Sequence, residues 1–226
     1  MKLRTLTLIT VVSTLSLPIT LRANDDRLKE AAAVLTEMAG MADNGIPLDL
    51  LKSAKCIVII PGVKKVGLGI GGQYGHGYIN CRKAGGGWSA PGGVSVKGGS
   101  IGLQIGGAST DVIMLVKNDR GAEKLLSSKF TVGADGTVAA GPVGRQASAQ
   151  TDATMHAEIL AWSRSRGAFA GIALQGSTLT VDDTENKELY GKQPGDKALD
   201  NKAIVLQGAV AAPKAAAVLM AALAKY

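Results

Sequence analysis

Apolar residues near the start of the chain recur three and four positions apart, from Leu28 through Ala42. This spacing predicts an amphipathic helix from Asp25 that ends near Gly40. Pro47 can open a second short helix, and Pro213 a closing helix that carries Leu219 and Leu223. Helices are therefore expected at both ends of the fold.

Between these helices the pattern becomes that of strands. The β-branched run Cys56 to Ile60 is typical of a buried strand, and Pro61-Gly62 is expected to end it. From Val66 to Gly72 apolar residues alternate with glycine, which predicts a strand with one bare face that another backbone can approach closely. A similar phrase at 102–107 predicts a second glycine-rich hairpin in the same sheet.

Shorter elements follow. The pattern predicts a helix at 121–128, a strand, turn and second strand over 130–138, a strand at 178–181 and a helix at 183–190. The segment 155–165 fits a helix or a strand; a hairpin tip at 163–167 followed by a strand at 169–174 favours the strand. The order of elements predicts an α+β fold, with a curved, largely antiparallel, barrel-like sheet and flanking N- and C-terminal helices.

The first 23 residues resemble an export signal. Lys2 and Arg4 precede an apolar run from Leu6 to Leu21, and a small residue follows at Ala23. A transmembrane anchor is the alternative, but Pro18 interrupts the run. Three of the seven formal net positive charges belong here, since removing the three basic residues of 1–23 lowers the net charge from +7 to a mild +4. We expect residues 1–23 to be a signal peptide and 24–226 to form one domain in an exported, periplasmic or secreted protein.

Cys56 and Cys81 are the two cysteines of the sequence. In an exported protein such a pair can form a disulfide, while two separate buried thiols on neighbouring strands remain the alternative. Neither cysteine has a second ligand at zinc-site spacing, so no metal is predicted.

The sequence offers no catalytic constellation. Gly67, Gly69 and Gly72 match the dinucleotide fingerprint formally, but the glycine-rich segment that follows cannot form the required helix. There is no G-x-S-x-G motif, and His156 near Asp152 and Glu158 is better explained as a surface residue than as a metal ligand. Eight aromatic residues leave little for nucleic-acid stacking. We predict a non-enzyme without a cofactor and without nucleic-acid partners.

Basic residues offer a more specific hypothesis. Gly141 to Gly144 can turn backbone N–H groups toward one point beside the guanidinium of Arg145. Lys64 and Lys65 lie in a stretch without acidic residues, and Arg164 and Arg166 flank the predicted hairpin tip. Such clusters can bind phosphate headgroups, and a solvated basic face is the alternative.

Several phrases in order make the chain resemble a known family. They are Ser53-Ala54-Lys55, Gly67 to Gly77, Gly87 to Pro91, Gly102 to Gly106, Thr110-Asp111, Gly141 to Arg145, Phe169-Ala170-Gly171, Gly176-Ser177 and Leu189-Tyr190-Gly191. Together they are similar to the SYLF domain, also called the Ysc84 family, over roughly Asp25 to Tyr226. The chain looks like a stand-alone exported bacterial member.

The resemblance implies a non-catalytic module that binds membrane lipids, notably phosphoinositides in eukaryotic members, where actin binding and an SH3 domain can accompany it. For an exported protein we expect the ligand to be an anionic phospholipid or a phosphorylated headgroup, bound through peripheral membrane association. The N-terminal helix carries more acids than bases, so we expect it to pack on the sheet. The binding face is then expected to combine Lys64, Lys65, Arg145, Arg164 and Arg166. The alternative function is an envelope scaffold that binds a protein partner through the glycine-rich sheet.

Overall fold

The computed structural model describes residues 19–42, 45–141, 156–166, 176–194 and 197–226. Its helices are α1 (Ile19–Gly40), α2 (Leu48–Ser53), α3 (Asp119–Leu125), α4 (Asp183–Tyr190), α5 (Asn201–Val205), a 3-10 turn (Lys214–Ala216) and α6 (Ala217–Leu223). Its strands are β1 (Cys56–Cys81), β2 (Gly92–Val116), β3 (Lys129–Thr131), β4 (Val138–Ala140), β5 (Ile159–Arg166) and β6 (Thr178–Val181).

One long hairpin organises the sheet. β1 and β2 pair antiparallel over nearly their whole length, from Cys56 opposite Val116 to Ile79 opposite Gly92. The two glycine-rich phrases therefore face each other, with Gly67 opposite Gly106. The prediction that each phrase forms its own hairpin was wrong. The two similar phrases belong to two strands that pair with each other. A sequence repeat alone does not show which strands pair.

The hairpin curls into two half-sheets. The end of β2 pairs with β5, which pairs with β4; with the first part of β1 these strands form half-sheet A. The beginning of β2 pairs with β6, which pairs with β3; with the last part of β1 they form half-sheet B. The β4–β5 pair is parallel and the other described pairs are antiparallel. The predicted α+β class with a curved, largely antiparallel sheet is confirmed.

The inner faces of the two half-sheets enclose one apolar cluster. Val58, Val112 and Met114 contribute from half-sheet A, and Val96 and Leu179 from half-sheet B. Burying such side chains between two sheets supplies the main driving force for the curl.

Glycine lets the two parts of β1 approach each other. A Cβ atom on Gly77 would lie 2.0 Å from the carbonyl oxygen of Ile59, and one on Gly75 would lie 3.0 Å from a methyl group of Val63. At the same end, Cys56 and Cys81 form a disulfide, with their Cα atoms 4.0 Å apart. The first and last residues of one strand are thus covalently joined. The close approach occurs at Gly75 and Gly77, beyond the Val66–Gly72 segment for which it was predicted.

A layer of helices covers the outer face of half-sheet A. Leu28, Leu35 and Met38 of α1 are buried against Ile59 of β1 and Leu219 of α6. α1 ends at Gly40 as predicted and packs on the sheet, as its excess of acidic residues led us to expect. The helices predicted at Pro47, at 183–190 and after Pro213 are also present.

Two expected boundaries were wrong. Pro61-Gly62 does not end the first strand, because the pair forms a bulge within β1 between Ile60 and Val63. The residues 163–166 do not form a hairpin tip, because β5 pairs with β2 as far as Arg166. The ambiguous segment before it is a strand from Ile159, and the strand expected at 169–174 lies outside the described residues.

Candidate functional site

The Pro61-Gly62 bulge determines which way the lysines of β1 point. Ile60 pairs with Val112 and Val63 with Thr110, so two residues of β1 stand opposite Asp111 alone. Gly62 has a φ of 55° and donates its N–H to Asp111 Oδ1 at 2.9 Å. The extra residue shifts by one position the alternation of side chains between the two faces of the sheet. Val63 therefore faces the inner core, and Lys64 comes onto the outer face, beside α1.

The register brings basic positions from distant parts of the chain into one row. Lys64 pairs with Ser109, and Ser109 also pairs with Arg166 on its other side. Two strand spacings place the backbones of Lys64 and Arg166 about 10 Å apart. The Lys64 side chain is exposed, and Lys65 next to it is half-buried.

Arg164 lies on the same strand as Arg166 but its charge is already paired. Its guanidinium donates to Asp111 Oδ2 from Nη2 at 2.7 Å and from Nε at 3.3 Å, and it also forms an ion pair with Glu37 of α1. The Asp111 hydrogen bonds, followed by those to Glu37, raise the pKa of Arg164. The Asp111 side chain is only 4% exposed, so Arg164 neutralises a buried carboxylate and holds α1 on the sheet.

A cleft opens between α1 and the bulged end of half-sheet A. It has a volume of about 320 Å³ and is lined by Glu30, Ala33, Val34, Glu37, Pro61, Gly62, Lys64, Ser109 and Asp111. Lys64 Nζ lies 3.4 Å from Ser109 Oγ at its edge. The sequence showed the lysine but not the cleft, because the acidic wall comes from a helix that precedes β1 by some twenty residues.

Of the five predicted cations, four lie at this end of half-sheet A. They are Lys64, Lys65, Arg164 and the backbone position of Arg166. Arg145 lies outside the described residues. The preceding Gly141 packs so closely on Trp162 that a Cβ atom there would lie 2.1 Å from the indole ring.

A second polar cluster lies near half-sheet B and is buried. Glu185 of α4 accepts a hydrogen bond from the Tyr78 hydroxyl and forms an ion pair with Arg27 of α1. Burial raises the pKa of both Glu185 and Tyr78. The Tyr78 side chain is fully buried, so this cluster fastens α4 and α1 to the sheet rather than meeting a ligand.

The residues considered as metal ligands do not form a metal site in the described part of the chain. Glu158 pairs with Lys124 Nζ at 2.8 Å and with Arg120 Nε at 3.1 Å. His156 is exposed, and Asp152 lies outside the described residues. Within the described ranges, no group of three His, Cys, Asp or Glu side chains is arranged to hold a metal.

The helices of the described part of the chain do not include one with both the length and the apolar character needed to cross a membrane.

Comparison with known proteins points to one family. The Ysc84 family model, described as a Las17-binding protein actin regulator, matches residues 97–226. The chain is 34% identical over 179 residues to LAS seventeen-binding protein 3 of Saccharomyces cerevisiae, which covers 75% of this chain and 39% of that protein. It is 32% identical over 203 residues to protein YSC84 of the same species, covering 86% of this chain and 42% of that protein.

A human protein is also similar. SH3 domain-containing YSC84-like protein 1 is 31% identical over 168 residues, which covers 72% of this chain and 49% of the human protein. The chain thus spans between two fifths and half of the length of these relatives. Their names describe binding proteins rather than enzymes.

Proposed function

Because the chain belongs to the Ysc84 family, we propose that it is a non-catalytic module that binds the phosphorylated headgroups of anionic lipids at a membrane surface. We further propose that it acts as an exported protein, periplasmic or secreted, in peripheral contact with the membrane. The N-terminal apolar run supports export.

The row Lys64–Ser109–Arg166 is the observation that carries this proposal. It brings cationic positions separated by about a hundred residues to one end of half-sheet A, next to Lys65. Lysine and arginine near an anionic surface each contribute about 1 kcal/mol to membrane binding. Arg164 supports the site differently from what the sequence suggested, since its pairing with Asp111 and Glu37 positions the strands and α1 around the row.

Liposome co-sedimentation tests the proposal. We expect the protein to bind phosphatidylcholine vesicles that contain phosphatidylglycerol more strongly than phosphatidylcholine alone, and to lose that binding as salt rises, since exposed charges are screened. Replacing Lys64 and Lys65 together with glutamine is expected to weaken binding about tenfold or more, from two lost contacts of about 1 kcal/mol each.

Lys83 provides the control. It is exposed in the turn between β1 and β2, near the disulfide-joined ends of β1 and 19 positions after Lys64, so Lys83→Gln should leave binding unchanged. Equal binding to neutral and anionic vesicles, or a Lys64/Lys65 variant that binds as the wild type does, would contradict the proposal. A urea unfolding curve for each variant separates lost binding from lost folding.

A protein partner is the second candidate function. The description of the family and the name of a yeast member both refer to binding Las17. This candidate predicts that a protein cross-links to the glycine-rich sheet and that lipid does not compete with it. The co-sedimentation experiment distinguishes the two, because a protein-binding module has no reason to prefer anionic vesicles.

A further inference from the structure

The cleft between α1 and half-sheet A has walls of opposite charge. The α1 wall is one helical face, with Glu30, Ala33, Val34 and Glu37 at spacings of three and four. The sheet wall carries the ammonium group of Lys64 and the hydroxyl of Ser109. The cleft therefore offers an acceptor on one side and donors on the other.

The charges of the cleft are not all paired. Arg164 neutralises both Glu37 and the buried Asp111. Among the described residues Glu30 forms no hydrogen bond or ion pair, and the one described contact of Lys64 is the long 3.4 Å approach to Ser109. One carboxylate and one ammonium group are thus left facing the same space from opposite walls.

The dimensions and lining of the cleft restrict its ligand to a small one. The cleft, of about 320 Å³, is at the small end of the range of ligand pockets. It has room for a headgroup, and its charged lining (Glu30, Glu37, Lys64 and Asp111) does not suit acyl chains. The lining also includes the apolar residues Ala33 and Val34 of α1 and Pro61 of β1, which suit a short methylene linker between two charged ends.

We propose that this cleft binds a zwitterionic headgroup in which a phosphate and a primary ammonium are joined by a short linker, as in phosphatidylethanolamine. The phosphate binds Lys64 Nζ and Ser109 Oγ, and the ammonium donates to the Glu30 carboxylate. A headgroup that is only anionic can use the Lys64 wall but meets repulsion from Glu30. A choline headgroup has no N–H to donate. This inference rests on the proposed lipid-binding function and adds a headgroup that the cleft recognises, beside the attraction of the cationic row to anionic lipids.

The test compares phosphatidylcholine vesicles with and without phosphatidylethanolamine, using the full chain. We expect wild type to prefer the phosphatidylethanolamine vesicles. Glu30→Gln keeps the shape of the side chain and removes its charge, and it should reduce that preference about tenfold, as for one lost charge-assisted hydrogen bond. Its binding to phosphatidylglycerol vesicles should be retained or strengthened, because the repulsion between Glu30 and an anionic headgroup is removed. Glu123→Gln, at an exposed position on α3, is the matched control and should behave as wild type.

Soluble probes distinguish binding of the headgroup itself from binding to a membrane surface. In a calorimetric or NMR titration, phosphoethanolamine should bind more tightly than inorganic phosphate, and Glu30→Gln should remove the difference.

Equal binding of phosphatidylethanolamine and phosphatidylcholine by wild type overturns the inference, as does a preference unchanged in Glu30→Gln. If phosphatidylglycerol vesicles still bind in that experiment, the proposed function stands without the inference. Binding to no vesicle overturns both.

Discussion

The Cys56–Cys81 disulfide closes the curl of the long hairpin, and its removal gives a measurable prediction. The bond joins residues 25 positions apart, at the two ends of β1. Both side chains are fully buried in the cluster between the half-sheets. We expect replacement of both cysteines by alanine to destabilise the domain without changing its topology, because the β1–β2 ladder does not depend on the bond.

The loop length sets the magnitude. A cross-link that closes about 25 residues lowers the entropy of the unfolded chain enough to stabilise the folded state by about 3.5 kcal/mol at 25 °C. A domain of this size has an unfolding free energy of about 5–15 kcal/mol, so the variant should still fold. Loss of two buried sulfur atoms adds a smaller packing cost.

Urea unfolding followed by circular dichroism measures the effect. The midpoint for Cys56→Ala/Cys81→Ala should fall well below that of the oxidised wild type, and reduced wild type should fall by a similar amount. Reduced wild type is the control, because it keeps both sulfur atoms and lacks only the cross-link. A loss below about 1 kcal/mol in both proteins would refute the loop-entropy argument.

Two further predictions concern close packing and a buried acid. Gly77→Ala should lower the unfolding free energy measured by urea unfolding by about 3 kcal/mol, because its Cβ atom would lie 2.0 Å from the Ile59 carbonyl oxygen. Gly85→Ala, in open space, should be neutral or slightly stabilising, and equal effects would contradict the packing argument. Burial raises the pKa of Glu185, so the folded chain holds a proton that the unfolded chain releases, and this residue's contribution to stability falls as pH rises through that window. The unfolding free energy of Glu185→Gln minus that of wild type should therefore increase as the pH rises above the ordinary glutamate pKa of about 4.3, and a flat or falling difference would contradict the assigned direction.

Local sequence patterns predicted those helices and strands whose own residues carry the periodic spacing of apolar positions. The spacing of Leu28 through Met38 predicted α1, and the alternation of apolar residues with glycine over 66–72 predicted a strand, which is part of β1. Pro61-Gly62 shows the limit, because the same pair can end a strand or form a bulge. Which outcome occurs depends on Asp111, whose carboxylate accepts the Gly62 N–H from the partner strand.

The sequence predicted which cationic residues could form the candidate site, but it did not predict how they are arranged in space. Lys64 and Arg166 stood out by charge, but only the register of β1, β2 and β5 shows that both flank Ser109. Arg164 has the same charge and a different role, because it pairs with Glu37, 127 positions earlier. Contacts over such separations follow from the packing of α1 on the sheet, which leaves no local pattern in the sequence.

The attachment of α1 has a mechanical consequence. In the first half of α1 Arg27 forms an ion pair with Glu185, beside half-sheet B, and near its end Glu37 forms an ion pair with Arg164 of half-sheet A. The two anchor points are ten residues apart, or about 15 Å along the axis. The helix thus connects the two half-sheets through these ion pairs. A motion that separates the half-sheets must break one of the two ion pairs, so the width of the cleft under α1 is coupled to the separation of the half-sheets.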